Sequence, residues 1–178
     1  MAAIMNAQTK ITIAVPLVDF EGACARLNQW RGQMIENFAR CEQAVTETLA
    51  LLNATTSAVS GAKFPHLVGQ RYDRLELLLT AAGSQTGHIK VARAAIAQFR
   101  THDGLRALLC HGVTKIAVDR GGEWVALLTL MSFKAGTTSI DRLTLLESEG
   151  ESHLARVIHD RRRMTSVLGQ VRRELMPA

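Results

Sequence analysis

Residues 19–53 read DFEGACARLNQWRGQMIENFARCEQAVTETLALLN, and this stretch indicates a helical protein more clearly than any other part of the chain. Its apolar side chains recur at steps of three and four residues, the spacing that places them on one face of an α-helix. The members of this stripe are Leu27, Trp30, Met34, Phe38, Cys41, Val45, Leu49 and Leu52. We therefore predict one long amphipathic helix whose striped face is buried against other helices.

The composition agrees with a helical core. Of the 178 residues, 47% are apolar but only 4% are aromatic, so the core must be built mainly from Leu, Ala, Val and Ile. Those residues suit packed helices better than an all-β sandwich, and the length suits one ordinary domain. We predict a single domain over residues 19–178. Before it we predict an extended segment over residues 1–18, because the run from Lys10 to Val18 is β-branched and includes Pro16.

Two further helical regions are predicted after a surface connection over residues 54–65, which collects Thr, Ser, Gly and Pro. The second helix spans about 66–82 and the third begins near His88. A break over residues 101–104 is expected, with Asp103 as N-cap of a piece that ends at His111. Gly112 would then supply a positive φ. The expected buried positions are Leu67, Leu75, Leu78 and Leu79 in the second helix and Ile89, Val91, Ala95, Ile96 and Phe99 in the third.

After Gly112 the sequence becomes rich in residues that favour β-strands. The runs Val113–Val118 and Trp124–Phe133 flank Gly121 and Gly122, a pattern that predicts a β-hairpin. A further short strand is expected near residues 140–145, and a last helix over about 149–175. Its expected buried side comprises Leu154, Val157, Ile158, Met164, Val167, Leu168 and Val171. The predicted fold class is mainly α: an up-down bundle of four to five helices with a small β-hairpin insertion at about 113–145.

Charge and cysteine usage bound the possible partners and compartment. The net charge is +5, and six arginines fall in the last helix: Arg156, Arg161, Arg162, Arg163, Arg172 and Arg173. Such a run forms either a solvated helix face or a contact for RNA. The three cysteines suggest neither a disulfide framework nor a zinc motif. No signal pattern and no apolar run of the ~18 residues that a span needs is present, so we expect a soluble cytoplasmic protein without a membrane partner.

The segment LRALLCHG, residues 105–112, resembles the signature of the HEPN (higher eukaryotes and prokaryotes nucleotide-binding) family. In that signature an arginine precedes a histidine by a few residues near a helix end. Here four residues separate Arg106 from His111, and Gly112 follows, as it commonly does in the family. The predicted order of elements over about residues 33–175 is also similar: two antiparallel helices, a third that bears the motif, a hairpin-like insertion and a last helix.

The resemblance implies a metal-independent endoribonuclease that cuts single-stranded RNA. Arg106 would stabilise charge on the phosphate, and His111 would transfer protons while the RNA 2′-hydroxyl attacks. It also implies a homodimer whose two motifs line one cleft, and a toxin or defence role with an antitoxin or other protein partner. Ala107 departs from the pattern, because active members often carry Asn or another polar residue there. The alternative is therefore a non-catalytic HEPN-like helical dimer that binds a protein or a nucleotide.

The spacing of the motif poses a geometric problem. Five residues of a regular helix turn about 500°, so Arg106 and His111 point about 140° apart and cannot share one helical face. Either the helix end unwinds or two chains cooperate. His102 and Asp103 lie four and three residues before Arg106, where they could orient it. The alternative is a purely structural role, in which His111 interacts with a helix C-terminus and Arg106 is a surface or ion-paired residue.

The remaining candidates point to structural roles. Four histidines, His66, His88, His153 and His159, lack metal-type partners at helical spacing, so no metal and no cofactor is expected. Cys110 is predicted to be a small core residue, and Trp30 and Trp124 are predicted to be packing or interface residues. Glu42 follows the stripe residue Cys41, so it is either an inward polar residue paired with an arginine or a boundary residue. An unrelated helical assembly protein, docking its basic last helix on an acidic partner, is a third possibility.

Overall fold

A computed structural model describes residues 19–55, 64–81, 87–134 and 136–175 of the chain. The elements in these ranges are α1 (Phe20–Thr55), α2 (Val68–Ala81), α3 (Gly87–Arg100), α4 (Asp103–His111), β1 (Val113–Val118), β2 (Trp124–Lys134), β3 (Thr137–Leu146) and α5 (Glu147–Leu175). The described protein is therefore mainly helical with one small antiparallel sheet. The predicted extended segment over residues 1–18 lies outside the described residues, as does most of the predicted connection over residues 54–65.

The predicted helix α1 is confirmed, together with its buried face. All eight residues of the predicted stripe are buried in the core, over a helix of 36 residues. Asp19 fixes where α1 begins, because its Oδ1 accepts a hydrogen bond of 2.9 Å from the backbone N–H of Gly22. A side-chain acceptor at this position satisfies one of the N–H groups that the first turn leaves unpaired. Helix α1 packs along α5 and also contacts α2 and α4.

The buried faces of α2 and α3 differ in part from the prediction. Leu67 precedes α2 and is exposed, whereas Tyr72 is buried although this was not predicted. In α3 the exposed Val91 was expected inside, and the buried residue is its neighbour Ala92. Both differences follow from the true start and rotation of each helix, because one residue shifts a side chain by about 100° around the axis. The other predicted core positions of the two helices are buried.

The break between α3 and α4 lies where the sequence predicts it, but its details differ. His102 is the N-cap of α4 and makes no capping hydrogen bond through its side chain, while Asp103 is the first helical residue. Gly112 has φ −86° and an extended backbone, so the predicted positive φ is wrong. A Cβ at Gly112 would lie 2.4 Å from the carbonyl oxygen of Leu108 and 3.0 Å from that of Thr129. A side chain at Gly112 would therefore clash first with the carbonyl of Leu108 in α4 and would also approach that of Thr129 in β2, so this position favours glycine.

The sheet has the strand order β1-β2-β3, with antiparallel pairs throughout. The hairpin predicted at Gly121 and Gly122 is confirmed, and Gly122 has φ +85°. Asp119 organises this turn, because its Oδ1 accepts hydrogen bonds from the backbone N–H groups of Gly121 and Glu123. Strand β3 is longer than predicted and pairs with β2 along its whole length. The insertion is thus a three-stranded sheet rather than a hairpin with a separate short strand.

The inner face of the sheet joins the helical core through two tryptophans. The rings of Trp30 in α1 and Trp124 in β2 lie with centroids 5.3 Å apart, and both side chains are buried. Trp30 Nε1 donates a hydrogen bond of 2.7 Å to the carbonyl oxygen of Gly150 in α5. A Cβ at Gly150 would lie 2.4 Å from Cη2 of Trp124, so this contact requires glycine. The predicted packing role of both tryptophans is confirmed.

Helix α5 packs against both α1 and α3 and closes the core. Five of its predicted buried residues are buried, while Leu154 and Ile158 are only half-buried. Asp160 is buried among them, and this was not predicted. Within the ranges that the structure describes, no helix combines the length and the apolar character needed to cross a bilayer.

Candidate functional site

Arg106 is held by an acidic residue of α1. Its Nε donates a hydrogen bond of 2.6 Å to Oε1 of Glu42, and the two side chains are 21% and 24% exposed. Glu42 comes directly after Cys41 in the buried stripe, so its carboxylate lies at the edge of the face where α4 packs. Of the two alternatives left open for Glu42, the structure shows the one in which it pairs with an arginine, at a partly exposed position. The partly exposed guanidinium is fixed at one nitrogen, so its orientation is restricted although it is not buried.

His111 is the last residue of α4, and its side chain is exposed. Helix α4 is regular up to this residue, since the N–H of Gly112 donates to the carbonyl oxygen of Leu108 across 3.0 Å. Arg31 of α1 supports the same end, because its Nη2 donates a hydrogen bond of 2.7 Å to the carbonyl oxygen of Leu109. The helix end is therefore not unwound. Arg106 and His111 of one chain point in different directions, as the regular geometry requires.

His102 belongs to a buried polar pair with α5. Its Nε2 lies 2.8 Å from Oδ2 of Asp160, and both residues are 8% exposed. The ring also makes an edge contact with Phe99, and Gln98 Nε2 donates a weaker bond of 3.4 Å to the same carboxylate oxygen. Among the described residues, no side-chain hydrogen bond joins His102 to Arg106. Its side chain therefore fastens α4 to α5, and its link to Arg106 is the helical bond from the backbone N–H of Arg106 to its carbonyl oxygen.

Asp103 takes part in a charge network on the other side of α4. Its Oδ2 accepts from Nε of Arg100 at 3.4 Å, and Arg100 also pairs with Asp73 at 2.7 Å. Arg100 lies over the ring of Tyr72, 5.8 Å from its centroid. Partial burial alone would lower the pKa of Arg100, but the hydrogen bond and charge of Asp73, with Glu76 and Asp103, raise it overall. In the described part of the chain, Asp103 makes no hydrogen bond to the guanidinium of Arg106.

The two cysteines near the motif differ in accessibility. Cys110 is exposed, so its predicted place in the core is wrong. The reason is the rotation of α4, which turns Leu108 and Leu109 inward and the next residue outward. Cys41 in α1 is fully buried, and burial raises the pKa of its thiol to about 12. Cys41 is therefore an inert core residue at neutral pH.

The arginine run of α5 divides into structural and exposed members. Arg172 Nη1 donates to the carbonyl oxygen of Ala44 and to Oγ1 of Thr48, each at 3.1 Å, and Nη2 lies 3.3 Å from a carboxylate oxygen of Glu47. Arg162 and Arg163 are exposed. Only part of the run is therefore available as a basic surface, because Arg172 is engaged in holding α5 against α1.

Sequence reasoning missed two groups that surround the motif. Asp160 lies inside the basic run HDRRR, whose composition is typical of a solvated helix face. Arg31 caps the carbonyl end of α4 from 78 residues away in the chain. Both contacts depend on how α1 and α5 pack against α4, and that packing is a tertiary property. A buried-face position in the periodic pattern of α5 was the one signal available for Asp160.

Comparison with known proteins gives no relative: no protein-family model, no curated protein and no solved structure matches this chain. The resemblance to the HEPN family therefore stays a prediction.

Proposed function

We propose that this chain is a HEPN-type, metal-independent endoribonuclease that cuts single-stranded RNA as a homodimer. Its helices would form the up-down bundle of that family, with the sheet as an insertion before α5. One observation supports the proposal most strongly. A guanidinium held by Glu42 and an exposed imidazole project from the same short, regular helix, with Arg106 at its centre and His111 at its end.

The chemistry needs only these residue types and the RNA itself. The 2′-hydroxyl oxygen attacks the adjacent phosphorus while a neutral imidazole of His111 accepts the hydroxyl proton. The bond from phosphorus to the 5′-oxygen breaks, and an imidazolium delivers a proton to that leaving oxygen. Arg106 stabilises the charge that develops on the nonbridging phosphate oxygens, through the guanidinium nitrogens that Glu42 does not engage. The products are a 2′,3′-cyclic phosphate and a 5′-hydroxyl.

Two chains are needed because Arg106 and His111 of one chain diverge. The regular end of α4 supports a pairing of two copies over an unwound helix end. A twofold axis beside α4 would place Arg106 of one copy near His111 of the other. Each of the two Arg106–His111 pairs would then act as a site of its own, in which the imidazole that accepts the 2′-hydroxyl proton delivers it to the leaving oxygen.

The test is cleavage of a labelled single-stranded RNA in the presence of a chelator. The wild-type chain is expected to cut the RNA and leave cyclic phosphate ends, and a single 2′-deoxy substitution should block cutting at that linkage. Arg106→Ala and His111→Ala should each lower the cleavage rate at least a hundredfold. His66→Ala and Arg93→Ala are matched controls, since both residues are exposed and lie on α2 or α3 or beside them. Equal cleavage by all five proteins would reject the assigned site.

A second candidate is the non-catalytic HEPN-like dimer that binds a nucleotide or a protein such as an antitoxin. It is favoured by the surroundings of His111, whose side chain makes no hydrogen bond or ion pair within the described ranges that would orient its ring. A catalytic imidazole is commonly oriented by such a partner. The same assay separates the two functions. RNA retained without cleavage, with affinity lost on Arg106→Ala, would support the binding module instead.

A further inference from the structure

The sheet has an outer face that no described element covers. Alternate residues of the three strands point away from the helices, while the inner residues Trp124, Ala126, Leu128 and Leu145 are buried. The register places one set of side chains on this outer face. Its large apolar members are Val113, Leu127, Met131, Phe133, Ile140 and Leu146, which are between 40% and 76% exposed. We call all the outward-pointing side chains of the three strands the outer sheet face.

We propose that the outer sheet face is the surface through which two copies of this chain associate. The inference rests on the proposed function, because a site built from one chain is incomplete. His111 ends α4 only two residues before Val113, the first residue of the face on β1. A second copy seated on this face would therefore lie directly beside the exposed imidazole.

The size of the face fits a dimer contact. Six large side chains at these exposures present roughly 600 Å² of apolar surface, at the upper end for the largest patch on a monomer. Two such faces in contact would bury roughly 1,200 Å² in total, where specific protein interfaces begin. Isolated exposed apolar residues need no explanation, but a continuous face of this size does.

The distribution of charge on the face also fits association with itself. The central strand β2 presents only uncharged side chains there: Val125, Leu127, Thr129, Met131 and Phe133. The two cations of the face, Lys115 and Arg142, lie on the edge strands β1 and β3. Charged residues are depleted at the centre of interfaces and tolerated at the rim. Aliphatic side chains dominate, whereas a surface for stacking RNA bases would be richer in aromatic rings.

A twofold axis crossing β2 at Thr129 would pair the apolar centre of the face with itself, while Arg142, which lies beside Thr129 on the edge strand β3, would meet its counterpart at the solvated rim. It would set Leu127 of one copy opposite Met131 of the other, and the smaller Val125 opposite Phe133. Two sheets packed in this way lie about 10 Å apart, and the side chains of the two outer sheet faces interdigitate between them. The dimer is then closed, because each copy uses the same patch.

The test compares Met131→Lys with Leu77→Lys by sedimentation velocity of the purified full chain. Met131 and Leu77 have the same exposed fraction, 58%, but Leu77 lies on α2, away from the sheet. We expect the wild type and Leu77→Lys to sediment as dimers, and Met131→Lys to raise the dimer dissociation constant at least tenfold. Circular dichroism confirms that each variant is folded. Leu127→Lys is a second variant on the same face, used if Met131→Lys does not fold.

Three results would overturn the interface. A wild-type monomer at every concentration tested is one, and dimers that persist in both sheet variants are the second. The third is an intact Met131→Lys dimer with weakened RNA binding, which would assign the face to RNA. Cleavage activity is measured separately. A dimer that Met131→Lys disrupts and that cuts no RNA would keep the interface and reject the ribonuclease, whereas RNA cleavage by a dimer that persists in both sheet variants would do the reverse.

Discussion

Arg106 Nε and Glu42 Oε1 lie 2.6 Å apart and join the centre of α4 to the middle of α1. The contact links the motif to the longest helix of the core, although 64 residues separate the two in the chain. Its partial exposure means that the pair contributes modestly to folding while it restricts the guanidinium. Glu42 is thus a positioning residue in the proposed reaction.

The first prediction concerns Glu42→Gln. The amide keeps an acceptor oxygen but loses the charge that holds Arg106, so the RNA cleavage rate at saturating RNA should fall about tenfold. The free energy of unfolding should fall by only about 1 kcal/mol, because the pair is partly solvated. Glu36→Gln is the control, since its pair with Arg40 on the same helix is about 60% exposed on both sides. Equal effects of the two substitutions would contradict the positioning role.

The second prediction concerns the buried pair of His102 and Asp160. Asp160→Ala leaves the imidazole without its buried partner, so the free energy of unfolding in urea should fall by about 3 kcal/mol. Asp160→Asn keeps a hydrogen-bond acceptor and should cost less. Asp141→Ala removes an exposed aspartate of β3 and should leave stability within about 0.5 kcal/mol of the wild type. Equal stability of the Asp160 and Asp141 variants would show that the pair does not fasten α4 to α5.

The third prediction compares two glycines. Gly150→Ala forces a methyl group to 2.4 Å from the Trp124 ring, so it should destabilise the fold by about 2 kcal/mol or more. Gly32→Ala meets nothing within 4 Å on the exposed side of α1 and should stabilise by about 0.5–1 kcal/mol. Thermal unfolding measures both. Tolerance of alanine at Gly150 would contradict the close packing of α5 on the tryptophans.

The fourth prediction concerns acid stability through Glu147. The hydrogen bond from Arg26 lowers the pKa of this carboxyl below its ordinary 4.5; burial opposes that effect, and a bond from the Trp124 N–H adds to it. Because the pKa is lower in the folded state, the contribution is complete above about pH 4.5 and is lost as the pH falls through the folded value. The melting temperature of Glu147→Gln should therefore depend less on pH between 7 and about 3 than that of the wild type. If the melting temperatures of the two proteins changed with pH in parallel, the stabilising role of the Glu147 carboxylate would be contradicted.

The part of the fold that the sequence predicts well depends on local periodicity. The stripe of α1 and the turn at Gly122 follow from spacing and from backbone freedom, which are properties of neighbouring residues. The local pattern does not predict that Tyr72 is buried while Leu67 is exposed, nor the full length of β3. These features depend on which surfaces pack against each other. Gly112 illustrates the difference: a positive φ was predicted for it, but what excludes a side chain there is its closeness to the carbonyl oxygens of Leu108 and Thr129.

The candidate site was predictable to a lesser degree. The spacing of Arg106 and His111 showed that they diverge, and Glu42 could be named from the sequence as a carboxylate that pairs with an arginine. The partners of His102 and Asp103 could not be predicted. Asp160 lies 58 residues from His102 in the chain, and Arg100 reaches Asp103 only because of the turn between α3 and α4. Contacts between distant elements need the packed structure.

The most direct test of the central idea mixes two inactive chains. Arg106→Ala and His111→Ala are purified, combined under conditions in which subunits exchange, and assayed for RNA cleavage in chelator. Each variant alone should be inactive, while the mixture should regain about a quarter of wild-type activity, since half of the dimers are mixed and each holds one intact pair. A mixture that exchanges subunits yet cuts no faster than either variant would contradict a site shared between two copies.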